Sequence, residues 1–69
     1  MKFAIIEHNG YFSTKEINSV YTEKNLEKDL NEKNKLAMYK FKIWEIFTGS
    51  MTEVYNRINK IENEFFKVI

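Results

Sequence analysis

Residues 39–50 read YKFKIWEIFTGS. Up to Phe47 this stretch alternates between two sets of side chains, as a β-strand requires. One set contains Tyr39, Phe41, Ile43, Glu45 and Phe47, and the other contains Lys40, Lys42, Trp44 and Ile46. The first set predicts a core face, whereas the second begins polar and becomes apolar at Trp44. We therefore predict a strand over residues 37–47 and ask what covers Trp44 and Ile46.

The sequence after this strand predicts a long helix. Thr48-Gly49-Ser50 ends the strand, and Ser50 with Glu53 matches a capping box that starts a helix near Met51. An apolar stripe with helical spacing follows, formed by Val54, Ile58, Ile61, Phe65 and Val68. Tyr55, Phe66 and Ile69 widen this stripe. The helix thus has more apolar surface than a small sheet obviously needs.

The sequence before the strand predicts a hairpin. Residues 2–8, KFAIIEH, have the β-branched character of a strand, and Asn9-Gly10 is a strong hairpin-turn signal. Residues 11–22, YFSTKEINSVYT, fit two structures. Ser13 with Glu16 matches a capping box, which would start a helix, whereas the β-branched residues and the preceding turn favour a second strand. We favour the strand.

Residues 23–34, EKNLEKDLNEKN, predict the first helix. Thr22 supplies the N-cap oxygen, and Leu26 and Leu30 stand four residues apart on one face. The element order is therefore ββαβα. A third strand that returns beside the first gives a three-stranded antiparallel sheet in the order 2-1-3. The predicted fold class is α+β, with residues 1–69 forming a single small domain.

Composition limits the possible functions. The 69 residues include no cysteine and one histidine, which excludes a disulfide framework and thiolate metal sites. The net charge of +1 lacks the basic excess that is typical of nucleic-acid-binding modules. The sequence contains no run of about 18 apolar residues, so it predicts no membrane span. Its N-terminus has the pattern of a strand and not that of a signal peptide. We expect a cytoplasmic protein, and the abundance of amino acids with AT-rich codons indicates a gene from an AT-rich bacterial, phage or plasmid genome.

The sequence does not predict an enzyme. His8 is the only histidine, and Glu7 would point to the opposite face of the strand, so it cannot orient His8 as a general base. Gly10 and Gly49 lie in predicted turns, and no glycine-rich phosphate loop is present. We expect no catalytic residue, no metal site and no cofactor.

Two possible functions depend on surface contacts: nucleic-acid binding and homodimer formation. Lys40, Lys42 and Trp44 on the third strand are a possible nucleic-acid surface, because aromatic side chains can stack on bases and lysines can bind phosphates. The last helix is a possible homodimer contact through Ile58, Ile61 and Phe65. A domain of this size often needs such additional burial, because its own core is small.

The chain also resembles a group of small ββαβ proteins from phages and phage-rich bacterial genomes. The resemblance lies in FSTKEINSVY, TEKNLEKDLNEKN and YKFKIWEI, and residues 12–17 are similar to a stretch of a small phage antitoxin. It does not extend to the last helix. The resemblance implies a protein that binds and disables a host defence or toxin protein by direct contact.

We therefore expect a non-enzymatic protein-binding protein that inhibits a host protein by steric occlusion. The predicted contact residues are Trp44, Ile46, Tyr55 and Phe66, since each is large and lies outside the main core stripe.

Overall fold

Five elements follow one another in the predicted order in the computed structural model, which describes residues 1–67 and the side chains of residues 1–65. The strands are β1 (Lys2–His8), β2 (Tyr11–Ile17) and β3 (Lys42–Thr48), and the helices are α1 (Glu23–Asn34) and α2 (Met51–Lys67). Val68 and Ile69, which we assigned to the apolar stripe, lie outside the described residues.

The sheet has the predicted antiparallel order β2-β1-β3. Asn9 and Gly10 connect β1 to β2 with φ angles of 52° and 83°. A two-residue hairpin turn with positive φ at both positions matches the twist of the flanking strands, which explains why this dipeptide occurs here. The α+β fold class and the ββαβα order are confirmed.

The ambiguous segment after the hairpin is a strand. Ser13 and Glu16 both lie in β2, so they form no capping box. The helix begins later, at the N-cap Thr22: the backbone N–H of Asn25 donates to the Thr22 hydroxyl, and the Asn25 side chain accepts from the Thr22 backbone N–H. This reciprocal cap satisfies two donors that the first turn would leave unpaired.

The two helices lie on opposite faces of the sheet. Alternate residues of β1 point to opposite faces, and the central strand is therefore buried on both sides. One cluster joins Phe3 and Ile5 to the α2 residues Val54, Ile58 and Ile61. The other joins Ala4, Ile6, Ile17, Leu26 and Leu30 beneath α1. Leu26 and Leu30 thus occupy the predicted core position.

A β-bulge interrupts β3 where the sequence pattern becomes irregular. Ile5 and Ile6 are consecutive in β1, but their partners in β3 are Glu45 and Ile43. Trp44 is therefore an extra residue, and two residues of β3 stand opposite one residue of β1.

The bulge corrects our assignment of Trp44 and Ile46 to one face. Trp44 contacts Phe12 and Phe65 on the α2 side, whereas Ile46 packs against the cluster beneath α1. Phe41 and Ile43 also pack on the α1 side, so the two sets of alternating residues exchange faces at Trp44. A single inserted residue has this effect because side chains alternate with a period of two.

The predicted start of β3 at residue 37 was wrong. The strand begins at Lys42, which pairs with Glu7 near the end of β1. Because β1 ends at His8, residues before Phe41 have no neighbouring strand to pair with. Residues 35–40 form a loop instead.

The stripe of α2 is used within the chain. Ile58 and Ile61 are 7% and 4% exposed and pack on β1. Phe65 is half-buried and contacts Phe12 and Trp44 edge to face. The homodimer alternative required these three residues to contact a second copy, whereas the fold places them against the chain's own sheet.

Candidate functional site

The loop of residues 35–40, KLAMYK, is closed at its base by Asn34. The side-chain amide of Asn34 donates to the Phe41 carbonyl at 3.0 Å, and its oxygen accepts the Phe41 backbone N–H at 2.7 Å. The Asn34 side chain therefore forms the two backbone hydrogen bonds with Phe41 that a neighbouring strand would otherwise form. A loop whose ends are joined in this way keeps a defined shape.

Lys40 closes the loop a second time. Its ammonium group donates to the carbonyl oxygens of Asn34 at 2.5 Å and of Ala37 at 3.3 Å. These carbonyls lie at and beyond the negative end of the α1 dipole, where a cation is favourable. The loop is thus held both at its base and across its middle.

The closed loop presents apolar side chains to solvent. Leu36 is 95% exposed, Met38 is 87% exposed and Tyr39 is 53% exposed. We call Leu36, Met38 and Tyr39 the apolar tip. Apolar side chains gathered at such exposure mark interaction surfaces in soluble domains, and loops on a rigid scaffold commonly carry function.

The support beneath the tip is aromatic. The His8 ring stacks on the Phe41 ring with centroids 3.8 Å apart and planes 5° apart. Lys33 places its ammonium 5.4 Å from the Phe41 ring centroid on the helix side. Tyr11, which pairs with His8 across the hairpin, is 73% exposed at the same end of the sheet. The only histidine therefore has a packing role beside the loop.

Trp44 lies near this end of the molecule, on the α2 face. Its ring meets Phe12 at 5.2 Å and Phe65 at 6.3 Å, in both cases edge to face, and the side chain remains 45% exposed. Such pairs contribute about 0.5–1.5 kcal/mol each beyond area burial. Trp44 is therefore neither fully core nor free, but lies beside the end of α2.

The three predicted partner-binding residues whose side chains the structure describes do not form one surface. Trp44 lies on the α2 face, and Ile46 is partly buried on the α1 face. Tyr55 is 53% exposed and lies two residues from Arg57, about 200° away around the helix. Since Arg57 faces β3, Tyr55 lies on the flank away from it. The side chain of Phe66 lies outside what the structure describes.

The residues of the nucleic-acid alternative are also separated. Lys40 lies in the loop and is engaged by backbone carbonyls. Lys42 and Trp44 share the α2 face, but the Lys42 ammonium lies 3.9 Å from the nearly buried carboxylate of Glu7. That carboxylate also accepts the Gly10 backbone N–H. Only Lys42 and Trp44 remain as neighbours on one strand.

The α2 face also carries a paired charge. Arg57 donates to both carboxylate oxygens of Glu45, at 2.8 and 2.6 Å. These hydrogen bonds lower the pKa of Glu45 below its ordinary value and raise that of Arg57. The pair attaches α2 to β3 at the bulge and offers no free charge for a ligand.

A groove of about 430 Å³ separates α1 from β2. It exists because Ser13 and Lys15, which are polar, occupy the α1-facing positions of β2. Tyr21 closes one end by donating its hydroxyl to Asp29, which raises the pKa of Tyr21, and Lys15 lies 4.7 Å from the Tyr21 ring centroid. The charged groups of this groove are of both signs.

The described side chains contain no group of three or more histidine, cysteine, aspartate or glutamate residues that could hold a metal ion. Within the same residues, no helix has the length and apolar character needed to cross a membrane. No protein-family model matches the chain, and no curated protein or solved structure shows significant similarity to it.

Sequence reasoning missed Leu36 and Met38 as site residues. The signal that could have identified them is the hairpin: Asn9-Gly10 limits β1 to residues before Asn9, and a strand paired to β1 cannot extend past it. The residues between α1 and that limit then form a loop, in which the structure leaves Leu36 and Met38 exposed.

Proposed function

We propose that the chain is a non-enzymatic protein-binding protein whose contact surface is the apolar tip. The observation that carries the proposal is the exposure of Leu36 and Met38 on a loop that Asn34 and Lys40 hold closed. An apolar loop without a function would be costly to solubility, and nothing in the core requires Leu36 or Met38. A fixed loop also loses less entropy on binding than a flexible one.

The finer proposal is that the partner is a host defence or toxin protein and that binding inhibits it by steric occlusion. Its support is the resemblance of residues 12–34 and 39–46 to small phage proteins, some of which act in this way. An exposed loop at the end of the sheet suits this mechanism, because it can enter a concave site on the partner and exclude the substrate. Occlusion needs no chemistry from the inhibitor.

The contact surface differs from the four residues expected from sequence. Tyr39 provides the aromatic anchor and Leu36 and Met38 the adaptable apolar contacts, since tyrosine is enriched among residues that dominate binding energy and methionine adapts to irregular surfaces. Tyr11 lies at the same end of the sheet as the tip.

The test compares two matched surface variants in a pull-down from bacterial lysate. Leu36→Ser with Met38→Ser removes the two most exposed residues of the tip. Val20→Ser is the control, because Val20 is 89% exposed in the loop after β2, at the opposite end of the sheet. The captured protein should be lost with the tip variant and retained with the control.

A second measurement tests inhibition. The captured host protein should lose activity when the wild-type chain is added and keep it when the tip variant is added. Equal capture by all three proteins, or capture that depends on Val20, would contradict the proposed surface.

A further inference from the structure

We infer that the partner surface recognised by the apolar tip is acidic, with an apolar centre surrounded by carboxylates. This inference rests on the proposed function and adds the chemistry of the partner. Residues 33–42, KNKLAMYKFK, contain four lysines and no aspartate or glutamate. The whole chain has 11 basic and 10 acidic residues, so seven basic and ten acidic residues remain outside this stretch. The positive charge of the molecule is therefore concentrated around the tip.

The four lysines flank the tip, two at the α1 end of the loop and two at its β3 end. Lys33 lies over the Phe41 ring, and Lys35 is the exposed C-cap of α1. Lys40 holds the loop from within, and the side chain of Lys42 is 68% exposed at the start of β3. We call Lys33, Lys35, Lys40 and Lys42 the lysine collar.

Acidic groups lie near the collar, but few of them form an ion pair with it among the described side chains. Among the described side chains, the collar forms one ion pair, from Lys42 to Glu7 at a long 3.9 Å. Glu32 lines one groove with Lys33 and another with Lys35, but among the described side chains it forms an ion pair with neither lysine. The dipole of α1 accounts for about half a unit of charge at its C-terminus, so it does not balance four lysines.

Apolar side chains flanked by lysines match one kind of partner best. A nucleic acid would bind the lysines but offers little apolar surface to Leu36 and Met38. An anionic membrane would bind both, but three side chains on one loop bury too little area for stable attachment. A protein surface with an apolar depression and carboxylates at its rim satisfies the tip and the collar together, and opposite charges also accelerate association.

The experiment is a selection from a library of random short peptides against the purified 69-residue chain. The enriched peptides should carry net negative charge and at least one large apolar residue. One enriched peptide is then synthesised, and its Kd is measured for wild type and variants. The Leu36→Ser, Met38→Ser variant should not bind it detectably.

The charge requirement is tested with matched variants of α1. Lys33→Gln with Lys35→Gln removes two collar charges, and Lys24→Gln with Lys28→Gln removes two charges from the same helix on its exposed side. Two exposed charge pairs of ordinary strength amount to about a five- to tenfold change in Kd. We expect that weakening for the collar variant, and a change of less than about twofold for the control.

The outcomes separate this inference from the proposed function. If the enriched peptides bind through the tip but lack acidic residues, the acidic partner is wrong while the contact surface stands. If enrichment does not depend on the tip, or no peptide is enriched, both are wrong. Binding of phosphatidylserine vesicles or single-stranded DNA, lost in the tip variant, would also overturn the acidic protein partner.

Discussion

Asn34 binds both backbone hydrogen-bonding groups of Phe41, donating to its carbonyl and accepting from its N–H. The last residue of α1 thereby sets where β3 can begin and how the intervening loop is shaped. We predict that Asn34→Ala lowers the free energy of unfolding by about 1–2 kcal/mol, because two half-buried backbone groups lose their partner. Urea denaturation followed by circular dichroism measures the change.

Asn31→Ala is the control for this prediction, since Asn31 lies one turn earlier on the same helix and is exposed. Its effect on unfolding should be within about 0.5 kcal/mol. Equal losses for the two variants would show that the Phe41 contacts do not hold the loop.

The bulge at Trp44 yields a prediction about deletion. Removing Trp44 leaves Ile43 opposite Ile6 and Glu45 opposite Ile5, so every remaining residue of β3 keeps its face. The deletion should therefore fold, with a loss of about 1–3 kcal/mol from the two aromatic contacts. Deleting Ile46 instead would reverse the faces on one side of the gap and should unfold the chain.

Dispersion of amide signals in a proton–nitrogen NMR spectrum distinguishes the two deletions. Wild-type-like dispersion is expected for the Trp44 deletion and collapse for the Ile46 deletion. An unfolded Trp44 deletion would mean that the bulge is required for the fold and does more than present one side chain.

The extent to which the sequence predicted the structure differs between elements for physical reasons. The bounds of α1 and the hairpin could be predicted, because Thr22, Asn9 and Gly10 determine local backbone geometry and act within a few residues. The sheet order followed from the order of elements and the rule for short connections.

The start of β3 and the bulge could not be predicted from local pattern. A strand needs a partner, and the limit at Lys42 is imposed by the length of β1. The alternation of residues 39–47 fits a regular strand equally well, since one inserted residue changes faces without changing composition. The candidate site was missed for the same reason, because the exposure of Leu36 and Met38 depends on where the strand begins.

Val54 and Tyr55 are adjacent in α2, and substituting each of them tests which face of the helix packs on the sheet. Val54 is fully buried in the cluster with Phe3 and Ile5, whereas Tyr55 is 53% exposed. Val54→Ala should cost about 2 kcal/mol of unfolding free energy, because it removes buried methyl groups and leaves a cavity. Tyr55→Ala should cost less than about 1 kcal/mol.

The measurement is urea denaturation of both variants under the conditions used for the wild type. A larger loss for Tyr55→Ala than for Val54→Ala would show that α2 packs through a different face. It would also reopen Tyr55 as part of a surface with Ile58 and Ile61.

The ion pair between Arg57 and Glu45 gives stability that depends on pH. Arg57 lowers the pKa of Glu45 in the folded chain, so the folded state binds this proton less readily than the unfolded state does. The contribution of the ion pair to stability is complete above the ordinary carboxyl pKa of the unfolded chain. It is lost as the pH falls through the lower pKa that Glu45 has in the folded chain. Because both side chains are about one-third exposed, we expect about 0.5–1 kcal/mol.

Thermal unfolding from neutral to acidic pH measures this contribution. Glu45→Gln should lower Tm at neutral pH and should show a smaller further decrease than wild type as the pH falls. Glu27→Gln is the control, because Glu27 lies exposed on α1 and outside the ion pairs of the described residues. Its pH profile should follow that of wild type. If Glu45→Gln and wild type lose Tm in parallel on acidification, the pair does not attach α2 to the sheet.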